Sequence, residues 1–558
     1  MSMTAKLHAT TTTAMRWATV AAREVRNRVQ YGASRVYGLG MDFKGTSHNP
    51  DACRMVAVPN RSRMGRGMRF MGTVRAAKWV IAWALVLQAS AARSSEPVPL
   101  PTGEWIPGAA RFDRYVPKLL GARVAVVAHA ASVVYVDGSW MHTVDALRAR
   151  GVNVVKVFAP EHGFRSVLSA GENVPNGRDE STGLLTVSLY GNHKKPTAAD
   201  LQDVDAVVFD LQDVGARFYT YISTLTYVME SCAAYRKPLI VLDRPNPNGD
   251  RLDGPVLDTA QFRSFVGMHP VPVLYGMTIG EYAGMVHGSR WAKTQGLNLH
   301  VVPLANYRRQ PVVLPVPPSP NLRTPEALHA YPSLCFFEGT PVSVGRGTDH
   351  PFERYGAPWY ERKGTFRFVP TAKSGATDPL FRGDTCFGRK YSPTKRMARA
   401  PLDWEPLLEM HRGFLAQLAE DDRRQERVDA YLQRRNLRMA YDSSLHSSGI
   451  DTTGFRTYDT ASMEQVAFHE LDSTQVYRKP RISKTDRKAG FVRPFFNRLT
   501  GSPLVAEALK NNLPADQWPK MWAADLARFA ALRRQYLLYS DELLHPEYAD
   551  YEPPKIRK

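Results

Sequence analysis

The sequence predicts an α/β protein built on a parallel sheet with helices on both faces. Three observations carry this. Short apolar runs alternate with stretches of helical periodicity, the runs are apolar at consecutive positions, and each ends in a cluster of polar side chains. A strand buried on both faces reads as a continuous apolar run. Strand alternating with helix implies parallel pairing, and open parallel sheets bind ligands beyond the carboxyl ends of their strands.

The elements follow in order. Arg123–Ala128 is expected as the first strand, ending at His129 and Ser132. Residues 139–150 have apolar positions three and four apart and are expected as helix. Residues 153–159 are β-rich and run into Pro160, Glu161, His162 and Gly163. Residues 206–209 lead into the densest polar group of the chain: Asp210, Gln212, Asp213, Arg217, Tyr219 and Tyr221. Residues 220–236 are expected as helix, and 238–242 as a strand running into Asp243, Arg244, Pro245, Asn246 and Pro247. Four strand ends delivering such groups to one edge predict a pocket there.

At 558 residues the chain exceeds one ordinary core, so two domains are expected. The α/β region spans 105–306, and a Pro-rich connection over 307–325 cannot be helical. The second domain, 326–545, begins irregularly with glycine turns at Gly339, Gly345 and Gly347. It ends in helices over 504–511 and 518–536, where Leu526, Phe529, Leu532 and Tyr536 share a face and are read as core.

The formal charge of +20 is unevenly placed: residues 1–95 carry 15 Lys or Arg and three Asp or Glu, about +12 of it. The remainder is mildly basic and holds no helix-turn-helix, RRM or zinc-finger pattern, so no nucleic-acid partner is expected. Residues 1–95 read as a presequence. Met64, Met68 and Met71 precede Arg69, Arg75 and Lys78, an apolar run over 79–87, and Ala89-Ser90-Ala91. That is the order of a signal peptide, here over about 68–91, and translation from one of these methionines explains its depth in the chain. A secreted protein with no stable membrane partner is expected. The alternatives are a signal anchor, for which the apolar run is short, and a transit peptide. Cys53 falls in the presequence, and Cys232, Cys335 and Cys386 have no metal-binding spacing; Cys232 and Cys335 are expected as buried thiols.

Glu161 followed by His162 is the leading catalytic candidate, because a glutamate at a strand end in a cleft can donate a proton to a leaving oxygen. Asp210, Asp213 and Asp243 have the chemistry of a base, nucleophile, anchor or metal ligand, or of a helix cap. No HExxH, HxH or DxD accompanies them, and no metal or cofactor is expected. The first strand is followed by HAASVVYVDG instead of GxGxxG, which argues against a dinucleotide. No GxSxG elbow is present, and Ser319 sits among prolines.

The ordered motifs resemble the bacterial exo-β-N-acetylmuramidases. They are PEHGFR (160–165), AGENV (170–174), TGLLTVSLYG (182–191), FDLQDVGARFYTYI (209–222) and LDRPNPNG (242–249). SFVG (264–267), YGMTIGEYA (275–283), PPSPN (317–321), FEGTPVSVGRGTDHPFERYGAPW (337–359), GDTCFG (383–388) and an RRQYLLY ending complete the set. The resemblance implies a Rossmann-like catalytic domain followed by a smaller C-terminal α/β domain, with the site in the cleft between them. It implies removal of β-1,4-linked N-acetylmuramic acid from peptidoglycan-derived saccharides. Glu161 would be the general acid and Asp210 or Asp213 the second acidic group, with His162 and Gln212 positioning sugar or water. Arg217 or Arg346 would bind the lactyl carboxylate, and Tyr219, Asp243, Asn246, Asn321 and Glu338 would contact substrate. The chain departs from the family pattern at His129–Ser132, where a polar turn is usual, at Ser166 and at Pro341. A metal-dependent hydrolase of another wall bond and a non-catalytic saccharide-binding relative are the alternatives.

Overall fold

The computed structural model describes residues 105–165, 176–361, 363–393, 401–434, 439–441, 455–457 and 481–541. Residues 1–95, read from sequence as a presequence, the AGENV motif and Ser166 lie outside the described residues.

β1 (Arg123–Ala128) is the centre of a seven-stranded sheet. A hairpin of β2 (Val133–Val136) and β3 (Ser139–His142) follows, then α1 (Thr143–Ala149), β4 (Asn153–Ala159), β5 (Gly177–Arg178) and β6 (Leu185–Ser188). α2 (Ala198–Leu201), β7 (Ala206–Asp210), α3 (Tyr221–Ala234) and β8 (Leu239–Leu242) come next. A small pair, β9 (Leu252–Asp253) and β10 (Leu274–Tyr275), precedes α4 (Ile279–Gly288) and β11 (Leu299–Val302). The sheet order is β11-β8-β7-β1-β4-β6-β5, parallel throughout except for β5 at the edge. Leaving out that edge strand, this is the doubly wound order of dinucleotide-binding folds, with its switch point between β1 and β7.

Alternation within the strands builds two cores. Val124, Val126, Ala128, Val208 and Ile240 pack with Tyr115, Val144 and Leu147 on one face. Ala125, Val127, Val207, Phe209 and Val241 pack with α3 and α4 on the other. This second core continues without a break into the C-terminal half, through Phe336, Trp404, Trp518 and Trp522. The Pro-rich segment is free of helix until α5 (Pro325–Leu334). Beyond it stand the antiparallel β12 (Arg354–Ala357), β13 (Phe366–Phe368) and β14 (Cys386–Lys390), in the order β12-β14-β13. α6 (Glu405–Arg434), the strand pair β15 (Met439–Tyr441) and β16 (Phe455–Thr457), and α7 (Lys484–Ala489) follow. α8 (Phe496–Thr500), α9 (Leu504–Lys510) and α10 (Ala523–Arg533) complete the described chain.

One expected helix is shorter than its periodicity suggests. Ser139–His142 pairs with Val133–Val136, and the helix starts only at Thr143, where the His142 ring accepts the Val144 N–H. Spacing over so few residues does not separate strand from helix; the cross-strand partner decides. Cys232, Cys335 and Cys386 are all buried and free. No helix among the described residues is long and apolar enough to cross a membrane.

Candidate active site

A cavity of about 220 Å³ lies beyond the carboxyl ends of β4 and β6. Glu161 and His162 enter it from β4, Tyr190 from β6, and Tyr219 and Thr220 from the loop before α3. The opposite wall comes from the C-terminal half: Tyr331, Cys335, Glu338, Arg346 and Phe352. Ser319 and Asn321 of the Pro-rich segment join the two walls, and Phe265, Phe495 and Leu499 add apolar surface.

Glu161 is held at both carboxylate oxygens. Tyr190 donates to Oε1 at 3.0 Å and Thr220 to Oε2 at 2.9 Å. Its carbonyl accepts from the Tyr221 hydroxyl at 3.2 Å. The next residue, His162, has a φ of 74°, a left-handed conformation that costs a non-glycine residue energy, and its ring meets the Ser319 hydroxyl at 3.2 Å. Backbone strain of this kind collects where a side chain must be aimed.

Across the cavity, the Arg346 Nε–H donates to Glu338, and its guanidinium lies 5.0 Å over the Phe352 ring. Burial alone would lower the Arg346 pKa; the Glu338 charge outweighs it and holds the group firmly cationic. Asn321 is fixed by a 2.7 Å bond to the Gly375 carbonyl, and the Tyr219 hydroxyl by one of 2.8 Å to Pro318. Two carboxylates and one guanidinium therefore share a cavity with tyrosine and phenylalanine rings. Among the described residues, no group of three or more His, Cys, Asp or Glu is arranged to hold a metal ion.

Models of the two parts of one family cover most of the chain: exo-beta-N-acetylmuramidase NamZ, N-terminal, over residues 124–326, and its C-terminal part over 329–539. The chain belongs to the NamZ family. It is 41% identical over 255 residues to the peptidoglycan beta-N-acetylmuramidase NamZ of Bacillus subtilis (strain 168). That match covers 44% of this chain and 59% of the Bacillus protein's length. The crystal structure of a DUF1343 family protein from Bacteroides fragilis NCTC 9343 superposes with a TM-score of 0.59 at 31% identity, covering 78% of this chain and 99% of the other. A second DUF1343 protein from the same organism shares the fold, with a TM-score of 0.53 at 24% identity and coverages of 79% and 100%.

Against the NamZ motifs, the structure separates residues that the sequence groups together. Glu161, His162, Tyr219, Asn321, Glu338 and Arg346 line the cavity. Asp210, Gln212, Asp213, Arg217, Asp243 and Asn246 do not; each is buried and occupied with internal partners. Asp210 forms a two-pronged ion pair with Arg244, at 2.6 and 2.8 Å, and Arg244 also reaches the Val133 carbonyl. Gln212 donates to the Asp213 and Pro245 carbonyls. Asp213 accepts from the Tyr275 hydroxyl and the Gly215 N–H, and burial pushes its pKa up to about 6. Arg217, expected at a lactyl carboxylate, instead donates to the carbonyls of Pro255, Val271 and Leu499. Asp243 accepts from Thr278, Gly280 and Tyr539, and Asn246 donates to the Met277 carbonyl. These polar groups hold loops together behind the cavity.

The turn that departs from the NamZ pattern is part of the same scaffold. The His129 ring occupies the β1/β7 switch point, the usual ligand crevice of this strand order. Its Nε2 accepts the Gln212 N–H at 3.0 Å, which leaves Nδ1 to donate to the Tyr221 oxygen at 3.1 Å; Tyr221 in turn donates to the Glu161 carbonyl. Burial, with Arg244 nearby, keeps this imidazole neutral. Neither His129 nor Ser132 lines the cavity, so the altered turn supports the Glu161 loop from behind.

Tyr190, Thr220 and Phe265 were not singled out from sequence. Tyr190 had a usable signal, since it follows the strand Leu185–Ser188 as Glu161 follows β4. Phe265 lies in the SFVG motif, but nothing in that motif aims its ring at the cavity; it comes from an irregular loop placed by packing.

Proposed function

We propose that the chain is an exo-acting glycoside hydrolase that releases β-1,4-linked N-acetylmuramic acid from the non-reducing ends of peptidoglycan fragments. The observation that carries this reading is Glu161, fixed at both oxygens in a cavity that also holds a second carboxylate and a guanidinium. Glu161 protonates the leaving oxygen as the glycosidic bond breaks. Glu338 takes the place expected for Asp210 or Asp213: it is the other carboxylate among the described residues that line the cavity, suited to activating water or offsetting the positive charge of an oxocarbenium-like transition state. Arg346 uses its Nε–H on Glu338, and its terminal amino groups make no hydrogen bond to a described residue, which suits them to the lactyl carboxylate of muramic acid. Tyr190 and Thr220 aim the acid, and Tyr219 and Phe265 offer ring surface to the sugar.

Glu161→Gln, assayed on a chromogenic β-N-acetylmuraminide, should lose about 10²- to 10⁴-fold in kcat at unchanged Tm, with the parent rate indifferent to EDTA. Full activity in that variant removes Glu161 from the mechanism. Release from the N-acetylglucosaminide as readily as from the muraminide removes the lactyl selectivity. We also propose export, on the signal-peptide pattern over 68–91 alone. Recovery of the protein from the medium with a new amino terminus near residue 92 would support it, and retention of the whole sequence in the cell would oppose it.

A further inference from the structure

A second cavity, of about 290 Å³, takes part of its wall from the loop that also lines the first. Its wall runs from Gly347 through Thr348, Asp349 and His350 to Arg354, and then from Arg367 to Lys373. Arg346 lines the first cavity and the next residue, Gly347, lines the second, so one loop contributes to both walls. The tie is made again elsewhere: Thr371 bonds the Gly347 carbonyl from the second cavity, and Gly375, four residues on, accepts from Asn321 of the first. The loop between them depends on two glycines. Gly345 and Gly347 both have a φ of 78°, and a Cβ at Gly345 would strike the Arg354 side chain at 2.5 Å.

The second cavity is electropositive. Arg354, Arg367 and Lys373 face one acid, Asp349, and Lys373 already pairs with it at 2.5 Å. Arg354 stacks 5.2 Å over Phe366, and its buried Nε–H has no hydrogen-bond partner. The Asp349 and Glu353 charges act on Arg354, but neither Arg354 nor Arg367 makes a hydrogen bond or ion pair to a carboxylate among the described residues. The His350 ring meets Glu353 at 3.2 Å, and Glu353 accepts from Thr324, so that acid is taken as well. Two arginines that outnumber the acid lining their cavity, beside a saccharide cavity, suit an anionic group carried by the same ligand.

We propose that this cavity is a carboxylate subsite holding the lactyl carboxylate of the next muramyl residue along the glycan. The inference rests on the glycosidase reading above. Muramic acid alternates with N-acetylglucosamine, so a tetrasaccharide presents a second carboxylate two sugars beyond the first and a disaccharide does not. The enzyme would then favour longer chains because of Arg354 and Arg367, while the bond broken and the groups at Glu161 stay the same.

The test compares peptide-free disaccharide and tetrasaccharide by calorimetric titration at short times, in the full chain and in Arg367→Ala, with kcat/KM for both. Arg367 is exposed, so its removal leaves the core intact. The tetrasaccharide should bind about 10- to 100-fold more tightly than the disaccharide, as charge-assisted hydrogen bonds allow. Arg367→Ala should remove most of that preference without changing the disaccharide. A tetrasaccharide with the distal carboxyl methyl-esterified should behave like the disaccharide, which separates the carboxylate from the added sugars. Equal affinity for both lengths in the parent chain overturns the subsite, as does a preference that survives Arg367→Ala or esterification. Retained length preference without turnover would instead sink the glycosidase reading alone, and binding of neither saccharide would sink both.

Discussion

The Tyr539 hydroxyl donates a 2.6 Å hydrogen bond to Asp243, joining the far end of the C-terminal half to the carboxyl end of β8 across 296 positions of sequence. The same oxygen accepts the Leu304 N–H at 2.8 Å, and the Leu538 N–H and Arg309 both reach Glu281 of α4. The last described stretch of chain is a strap over the sheet, and Asp243 is its anchor.

This anchor makes the strap sensitive to pH. Burial raises the Asp243 pKa from 3.8 to about 7, while the bonds from Tyr539, Thr278 and Gly280 pull it down. Because the folded value lies above the unfolded one, the stability given by neutral Asp243 is full below about pH 4 and is lost as pH rises through about 7. Tyr539→Phe removes a donor that favours the charged form. Its deficit should be about 1 kcal/mol at pH 5 and about 2–3 kcal/mol at pH 8, read from urea unfolding. A deficit independent of pH would mean that Asp243 does not titrate there.

Two acid-to-amide variants separate the cavity from its scaffold. Glu338→Gln should lower kcat by about 10²-fold or more with little change in Tm, since Glu338 is part exposed and faces the cavity. Asp210→Asn leaves Arg244 buried without its counter-charge and should cost about 3–5 kcal/mol of stability. Activity per folded molecule should fall far less in the second variant than in the first. The reverse ranking would return Asp210 to the mechanism.

Gly215 tests how tightly the central motifs interlock. Its φ is 75°, and a Cβ there would sit 2.1 Å from Oδ1 of Asn246, which accepts the Asn248 N–H while its amide holds the Met277 carbonyl. Gly215→Ala should cost on the order of 3 kcal/mol, from left-handed strain and overpacking together. Denaturant midpoints would show it, and a cost below about 1 kcal/mol would mean that the Asn246 loop yields.

The strands were legible because each is apolar at consecutive positions and ends abruptly in polar residues, a pattern set by burial on two faces. The same reading placed Glu161 and His162 at a strand end, where the cavity opens. The limit of that reading shows in Asp210 and Glu161, which stand at the carboxyl ends of β7 and β4, the two strands that flank β1, with similar chemistry. Asp210 turns to Arg244 inside the protein, and Glu161 turns to Tyr190 and Thr220 in the cavity. A polar residue beyond a strand must be satisfied by ligand, backbone or another side chain, and its sequence neighbours do not say which.

By itself the sequence determined the alternation of strand and helix, the edge at which polar groups gather and the family to which the motifs point, all of which follow from local periodicity and residue order. Only the tertiary structure decided which of those polar groups face the cavity. That depends on contacts between segments hundreds of positions apart: Arg217 is claimed by the Leu499 carbonyl, Asp243 by Tyr539, and Glu338 is brought into the cavity of Glu161 by a core continuous through both halves. Burial in the assembled fold turns one acid into an anchor and leaves another at the cavity wall.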